Sequence, residues 1–175
     1  MCYCNRPFGS TEEMEEVMVG NWNELVKPGD DVYHLGDFIY WRVAPKEMSR
    51  VFRALNGRKH LVIGNHDRPE IMKNLGWVWM RPQFGLNLGN EYVWLSHYAH
   101  RTWNRSFHGS WHLFGHSHGK LFPHGFSFDA GVDSWNFKPI NLDTVWAMMR
   151  KLEKGETEET HKERTWNGLD IFASV

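Results

Sequence analysis

Lys59-His60-Leu61-Val62-Ile63-Gly64-Asn65-His66-Asp67 decides how this sequence is read. It is a short apolar run that breaks at a glycine into a polar loop, the pattern of a strand ending at a site. The same design occurs upstream, where Asp31-Val32-Tyr33-His34-Leu35-Gly36-Asp37-Phe38 predicts a strand with Gly-Asp at its carboxyl end. Helical patterns frame both runs. Ser10 and Glu13 form a capping-box signature, followed by Met14, Val17, Met18, Trp22 and Leu25 at helical spacing up to Pro28-Gly29. Pro45 to Leu55 predicts a second helix with Met48, Val51, Phe52 and Leu55 on one face, and Glu70 to Leu75 a short third one.

Beyond Trp77 the pattern changes. WVWM, FGLNL and EYVWLSH read as successive short strands, with Gly89-Asn90 as punctuation, and WHLFGHSHG and HGFSFDAGVDSW as two more. Asn141 to Glu153 closes the unit as a helix with Leu142, Val145, Trp146, Met149 and Leu152 apolar. Strand–helix alternation followed by a strand run predicts an α/β (α+β) domain: a partly parallel unit with a second sheet packed against it. The expected domain is residues 1–153, with residues 154–175 a charged linker (GETEETHKER) and a tail carrying Trp166, Leu169, Ile171 and Phe172.

Composition sets bounds. The 175 residues suffice for one core, and 41% hydrophobic with 23% charged is ordinary for a globular chain. A net charge of -1 argues against a protein that coats nucleic acid, although it leaves room for a local basic rim. No apolar run is long enough to span a bilayer, no signal peptide is visible, and Cys2 and Cys4 read as reduced thiols, so a cytoplasmic location is expected. Eleven histidines, seven of them from His97 to His124, call for an explanation by position.

Four polar clusters follow strands: Gly36-Asp37, Gly64-Asn65-His66-Asp67, Ser96-His97 and Gly115-His116-Ser117-His118. In open α/β sheets ligands bind outside the carboxyl ends of strands, so the clusters are expected to share one rim. Asp, Asn and His together suit Mn, Fe, Zn, Co or Ni better than Ca or Mg. His116 and His118, read as alternating on an extended stretch, would point the same way. Taken singly, each residue has a plainer role: Asp37 as a turn former, Asn65 in a left-handed turn, His66 as a helix cap. Asp129 and Asp133 are read as loop-fixing carboxylates. Trp77, Trp79, Trp94, Trp103, Trp111 and Trp135 are read as core rather than base-stacking platforms.

In order and spacing, GDF, GNHD, SH and GHSH resemble the motifs of the calcineurin-like metallophosphoesterase superfamily, and the text around them resembles its small bacterial and phage members, from about Tyr3 to the closing helix. The resemblance implies a β-sandwich of two packed mixed sheets flanked by helices, and metal-dependent hydrolysis of a phosphomonoester or phosphodiester. It implies two divalent transition-metal ions, Mn first, with Fe, Zn, Ni or Co as alternatives. Asp37 would bridge them, Asn65, His97 and His116 would complete one ion's shell, and His118 would serve the other. His66 would stand at the leaving oxygen, with Asp67 orienting it. Asn65 and His66 would meet the substrate phosphate. By position rather than by resemblance, His100 and Arg101, which follow the Ser96-His97 loop, are candidates to meet the same phosphate, the plainer reading being solvated loop charges.

The Asp-x-His motif that opens the superfamily pattern has no match here, nor does its first strand, because YCNRPF resembles what normally follows that motif. Two readings stay open: a reading frame started at an internal Met, or a protein with half of one metal site missing and weak or absent turnover. A nucleic-acid-binding module is the remaining alternative, disfavoured by the near-neutral charge. Oligomeric state is not indicated.

Overall fold

The computed structural model describes residues 6–155. The expectations for Cys2, Cys4, the charged linker and the tail lie outside the described residues. Helices α1 (Thr11–Leu25), α2 (Pro45–Ala54), α3 (Pro69–Met72) and α4 (Leu142–Glu153) surround strands β1 (Asp31–His34), β2 (Arg58–Val62), β3 (Met80–Arg81), β4 (Gln83–Leu88), β5 (Glu91–Ser96), β6 (Trp111–Phe114) and β7 (Ser127–Asp129). Strands β1-β2-β3 form a sheet in which both pairs are parallel. Strands β4-β5-β6-β7 form a mixed sheet: β4 and β5 are an antiparallel hairpin turning at Gly89-Asn90, while β5-β6 and β6-β7 are parallel. The two-sheet sandwich flanked by helices is the architecture expected from the sequence.

Alternation along β2 explains the layering. Val62 faces the second sheet, in a core with Leu35, Val93, Leu95, Trp111, Leu113, Phe128 and the α4 residues Val145 and Met149. Leu61 points to the opposite face and packs with Met48 of α2 and Met72 of α3. A strand buried on both faces reads as a continuous apolar run, which is why KHLVI shows no alternation. Trp22, Val26 and Leu55 join α1 to the end of α2.

The cap of α1 is as expected: Ser10 Oγ accepts from the Glu13 N–H at 3.0 Å. Its buried face is as expected only in part: Trp22 is buried and Met14 and Met18 are half-buried, whereas Val17 and Leu25 are 39% and 47% exposed. The contact with Leu55 rotates the helix toward Val19, Trp22 and Val26. The face predicted for α2 holds, with Met48, Val51, Phe52 and Leu55 all buried. Among the tryptophans read as core, Trp111 and Trp135 are buried, and Trp77 packs edge-on against Phe38 and Phe52.

Candidate metal centre

Strands β1 and β2 run parallel, as do β5 and β6, so their carboxyl ends come to one rim. Two glycines let the loops touch there. A Cβ on Gly64 would lie 2.3 Å from Asp37 Oδ1 and 2.5 Å from its backbone nitrogen. A Cβ on Gly36, at φ 95°, would lie 2.4 Å from His97 Nδ1 and 2.8 Å from the Gly64 Cα. Neither position has room for a side chain.

Asp67 fixes both loops. Its carboxylate accepts backbone N–H bonds from Asp37 (2.9 Å), Phe38 (2.9 Å) and Gly64 (2.7 Å). Its oxygens are thus engaged by backbone donors, a different task from orienting the His66 ring. Burial raises the Asp67 pKa, against those three donors and with the nearby Asp37 charge. The His66 N–H donates to Asp37 Oδ1 at 2.8 Å, which ties the second loop to the first. His34 sits beneath. Burial pushes its pKa down to about 3, so its neutral Nδ1 accepts the Gly36 N–H at 3.2 Å.

His97 is the centre of the arrangement and is 2% exposed. Its Nδ1 lies 2.8 Å from the Leu35 carbonyl, which can only accept, so Nδ1 carries hydrogen. Nε2 then faces Asn65 Oδ1 at 2.9 Å, His116 Nδ1 at 3.2 Å and Asp37 Oδ2 at 3.4 Å. The ligand atoms of Asp37, His97 and His116 all lie within 4.8 Å of one another. Two ligands each ~2.1 Å from an ion and at right angles to one another stand ~3 Å apart, so these spacings fit a shared cation. The donor set, one carboxylate, one amide oxygen and two imidazoles, suits a borderline transition metal.

Electrostatics agree that the point between these atoms demands positive charge. For His97 burial opposes protonation, but contact with Asp37 and with the Leu35 carbonyl outweighs it and raises the pKa. For Asp37 burial pushes upward, and His97 with the His66 N–H pulls it below the usual range. A proton on His97 meets that demand, and a metal ion would meet it in the proton's place.

The left-handed backbone also concentrates here. Asp37, His116 and His118 have φ of 57°, 63° and 51°. Such values are uncommon outside glycine and are tolerated where surrounding structure enforces them. This corrects the expectation of an extended Gly115–His118 stretch. His116 turns toward His97, whereas the His118 Nδ1 turns to Asp133, 2.6 Å from its Oδ2. Asp133 is also gripped by Arg6 through two bonds of 2.7 and 2.9 Å. Burial works against its charge, yet Arg6 and His118 bring its pKa to about 2. Asp129 does fix a loop: it accepts the Ser117 hydroxyl and the N–H groups of Gly119 (2.9 Å) and Gly131 (2.6 Å). Among the described residues Asp37, His97 and His116 form a group that could hold a metal ion, and His118 stands outside it. Arg101 is exposed on the loop after β5, and His66 is exposed at the rim.

Sequence reasoning missed the partners that hold the ligands: the Leu35 carbonyl, Asp133 and Arg6. It also missed Tyr98, whose ring packs on His97 and His116 at centroid distances of 4.9 and 4.6 Å. A third omission is a buried relay beneath the site. Ser127 donates to His112 Nδ1 (2.8 Å), His112 Nε2 donates to Ser96 Oγ (2.7 Å), and Ser96 donates to the Tyr98 carbonyl (2.7 Å). The signal for it was present in alternate residues of adjacent strands, but pairing is not visible before the register is known.

No helix among the described residues is long and apolar enough to cross a membrane. No protein-family model matches the chain. It is similar to the Gene 66 protein of Mycobacterium phage L5, 24% identical over 186 residues and covering 85% of this chain and 87% of the phage protein. A solved structure of a protein of unknown function from Aquifex aeolicus, AQ665, shares the fold, with a TM-score of 0.63, 24% identity and coverage of 79% of this chain and 87% of that one. The uncharacterized protein MJ1445 of Methanocaldococcus jannaschii is 31% identical over 166 residues, which are 90% of this chain and 86% of the archaeal protein. At that identity and coverage, the chain belongs to the family of MJ1445.

Proposed function

We propose that the chain is a metal-dependent phosphoesterase of the calcineurin-like superfamily, hydrolysing a phosphomonoester or phosphodiester at the rim above β1, β2, β5 and β6. The observation that carries this reading is the convergence of Asp37, Asn65 and His116 on the Nε2 of His97. Divalent ions bound there would acidify water and neutralise charge on the phosphoryl oxygens. Asp37, Asn65, His97 and His116 would hold one ion, and the Leu35 carbonyl keeps His97 in the tautomer that presents Nε2. Asp37 would share its carboxylate with a second ion, toward which His118, braced by Asp133, would offer its other nitrogen. His66, exposed beside the cluster with its N–H anchored on Asp37, would give a proton to the leaving oxygen. Mn is the metal to try first.

A second reading is favoured by one observation: Asp37, His97 and His116 are grouped closely enough to hold one ion among the described residues, and His118 lies apart from them. The chain would then be a one-ion member of the same fold with little turnover. Metal analysis of purified protein, with hydrolysis of p-nitrophenyl phosphate and bis-p-nitrophenyl phosphate in added Mn, separates the two. Turnover that disappears in Asp37→Ala supports the enzyme. Bound metal without turnover under any divalent ion supports the one-ion reading.

A further inference from the structure

We propose that the ester cleaved at this centre is part of single-stranded nucleic acid, whose bases stack on a rim of exposed aromatic rings. The inference rests on the phosphoesterase reading above and adds the substrate class.

The aromatic residues exposed among the described residues are Tyr40 (53%), Trp41 (41%), Tyr98 (48%), Phe107 (88%) and Phe122 (72%). Four of the five follow the carboxyl end of a site-forming strand, whereas Phe107 sits in a 3-10 turn (Ser106–His108) beside the amino ends of β5 and β6, where Arg105 and Asn104 reach Tyr92. Tyr40 and Trp41 follow Asp37, Tyr98 follows His97, and Phe122 follows His118. Phe107 apart, the large exposed apolar side chains away from these loops are aliphatic: Val17, Leu25, Val78 and Leu142. Chance exposure would scatter aromatic rings over the surface.

The rings reach the chemistry from two sides. Tyr40 lies 6.5 Å from the His66 ring, and Tyr98 lies 4.6 Å from His116. Trp41 continues the first wall, 5.8 Å from Tyr40, with the Arg42 guanidinium 4.6 Å above its ring.

Charge is segregated in the same sense. The net charge of -1 conceals a stretch from Tyr92 to Phe128 with no Asp or Glu, in which Arg101, after His97, and Lys120, after His118, are exposed. Acidic residues gather instead on α1, at Glu12, Glu13, Glu15, Glu16 and Glu24. Cations beside aromatic rings are what single strands require, because every base offers a face for stacking and every linkage a negative charge. A duplex hides its base faces, and other polyanions have none.

The test is fluorescence anisotropy with a labelled single-stranded oligo-dT of about ten nucleotides and an abasic strand of equal length. It is run with Mn on a His66→Ala background, which keeps Asp37, Asn65, His97 and His116 and slows cleavage. We expect oligo-dT to bind about tenfold or more tightly than the abasic strand, and Trp41→Ala and Tyr40→Ala each to weaken it by a similar factor. Both side chains are exposed, so circular dichroism and metal content should match the parent. Equal binding of the two strands, indifference to both substitutions, or no binding at low salt would overturn the proposal. None of these readouts needs turnover, so failure here is distinct from failure to hydrolyse bis-p-nitrophenyl phosphate.

Discussion

His97 directly follows β5 and His112 lies on the neighbouring strand β6, and both are buried, at 2% and 0% exposure, yet their chemistry is opposite. Both nitrogens of His112 meet serine hydroxyls, and burial, with His100 nearby, drives its pKa to about 3. His97 has one nitrogen on a carbonyl, while the other faces Asp37, Asn65 and His116, and its pKa rises. Burial therefore does not separate a structural histidine from a ligand. The partners of the second nitrogen do, because a satisfied ring needs nothing further and a ring among acceptors needs a cation.

The strongest way to break this contrast is Asp37→Ala. It should abolish turnover and lower metal affinity by more than the ~10–100-fold that loss of a ligand's supporting partner costs. The same change should bring the His97 pKa down, visible in an NMR pH titration. If metal affinity and that pKa both stay put, the cluster is not a cation site. Asp133→Ala comes next. By releasing His118 and leaving Arg6 without its carboxylate, it should cost roughly 10–100-fold in affinity for an ion that uses His118, read by calorimetric titration. No change would remove His118 from the centre.

Gly64→Ala sharpens the geometric side. Its methyl would meet Asp37 backbone and carboxylate atoms, so a loss of about 1–3 kcal/mol in urea unfolding is expected, together with weaker metal binding. Unchanged stability would mean that the loops yield easily. The last comparison concerns His112, whose effect is confined to acid pH. Its folded pKa lies near 3 and its unfolded value near 6.5. Its contribution is therefore complete above about pH 6.5 and declines as pH falls toward 3, by at most ~1.4 kcal/mol per pH unit. His112→Asn should flatten the stability-against-pH curve across that window. His97, with its raised pKa, contributes in the opposite sense: its part is present below about 6.5 and is lost as pH rises through the folded value.

Much of this was legible in the sequence, for reasons that differ by element. The α2 face showed because an amphipathic helix must repeat its apolar residues, and β2 showed as an apolar run cut short at Gly64. The face of α1 was read correctly at Met14, Met18 and Trp22 but not at Val17 and Leu25, since Val26 beyond the helix end, together with Leu55, settles its rotation. The convergence of Asp37, Asn65, His97 and His116 was readable because the loops after parallel strands meet at one rim. His116 and His118 were read as one extended pair, and only the left-handed turns at both positions separate them. The Asp133–His118 and Ser96–His112–Ser127 partnerships depend on register and loop path, which no local pattern encodes.

The central claim is that His97, unlike His112, ligates a divalent ion. Mn retained per folded chain after loading and exhaustive dialysis tests it most directly in the parent, His97→Ala and His112→Asn. The account predicts retention in the parent and His112→Asn and loss in His97→Ala. Equal retention in all three, or equal loss in both variants, would contradict it.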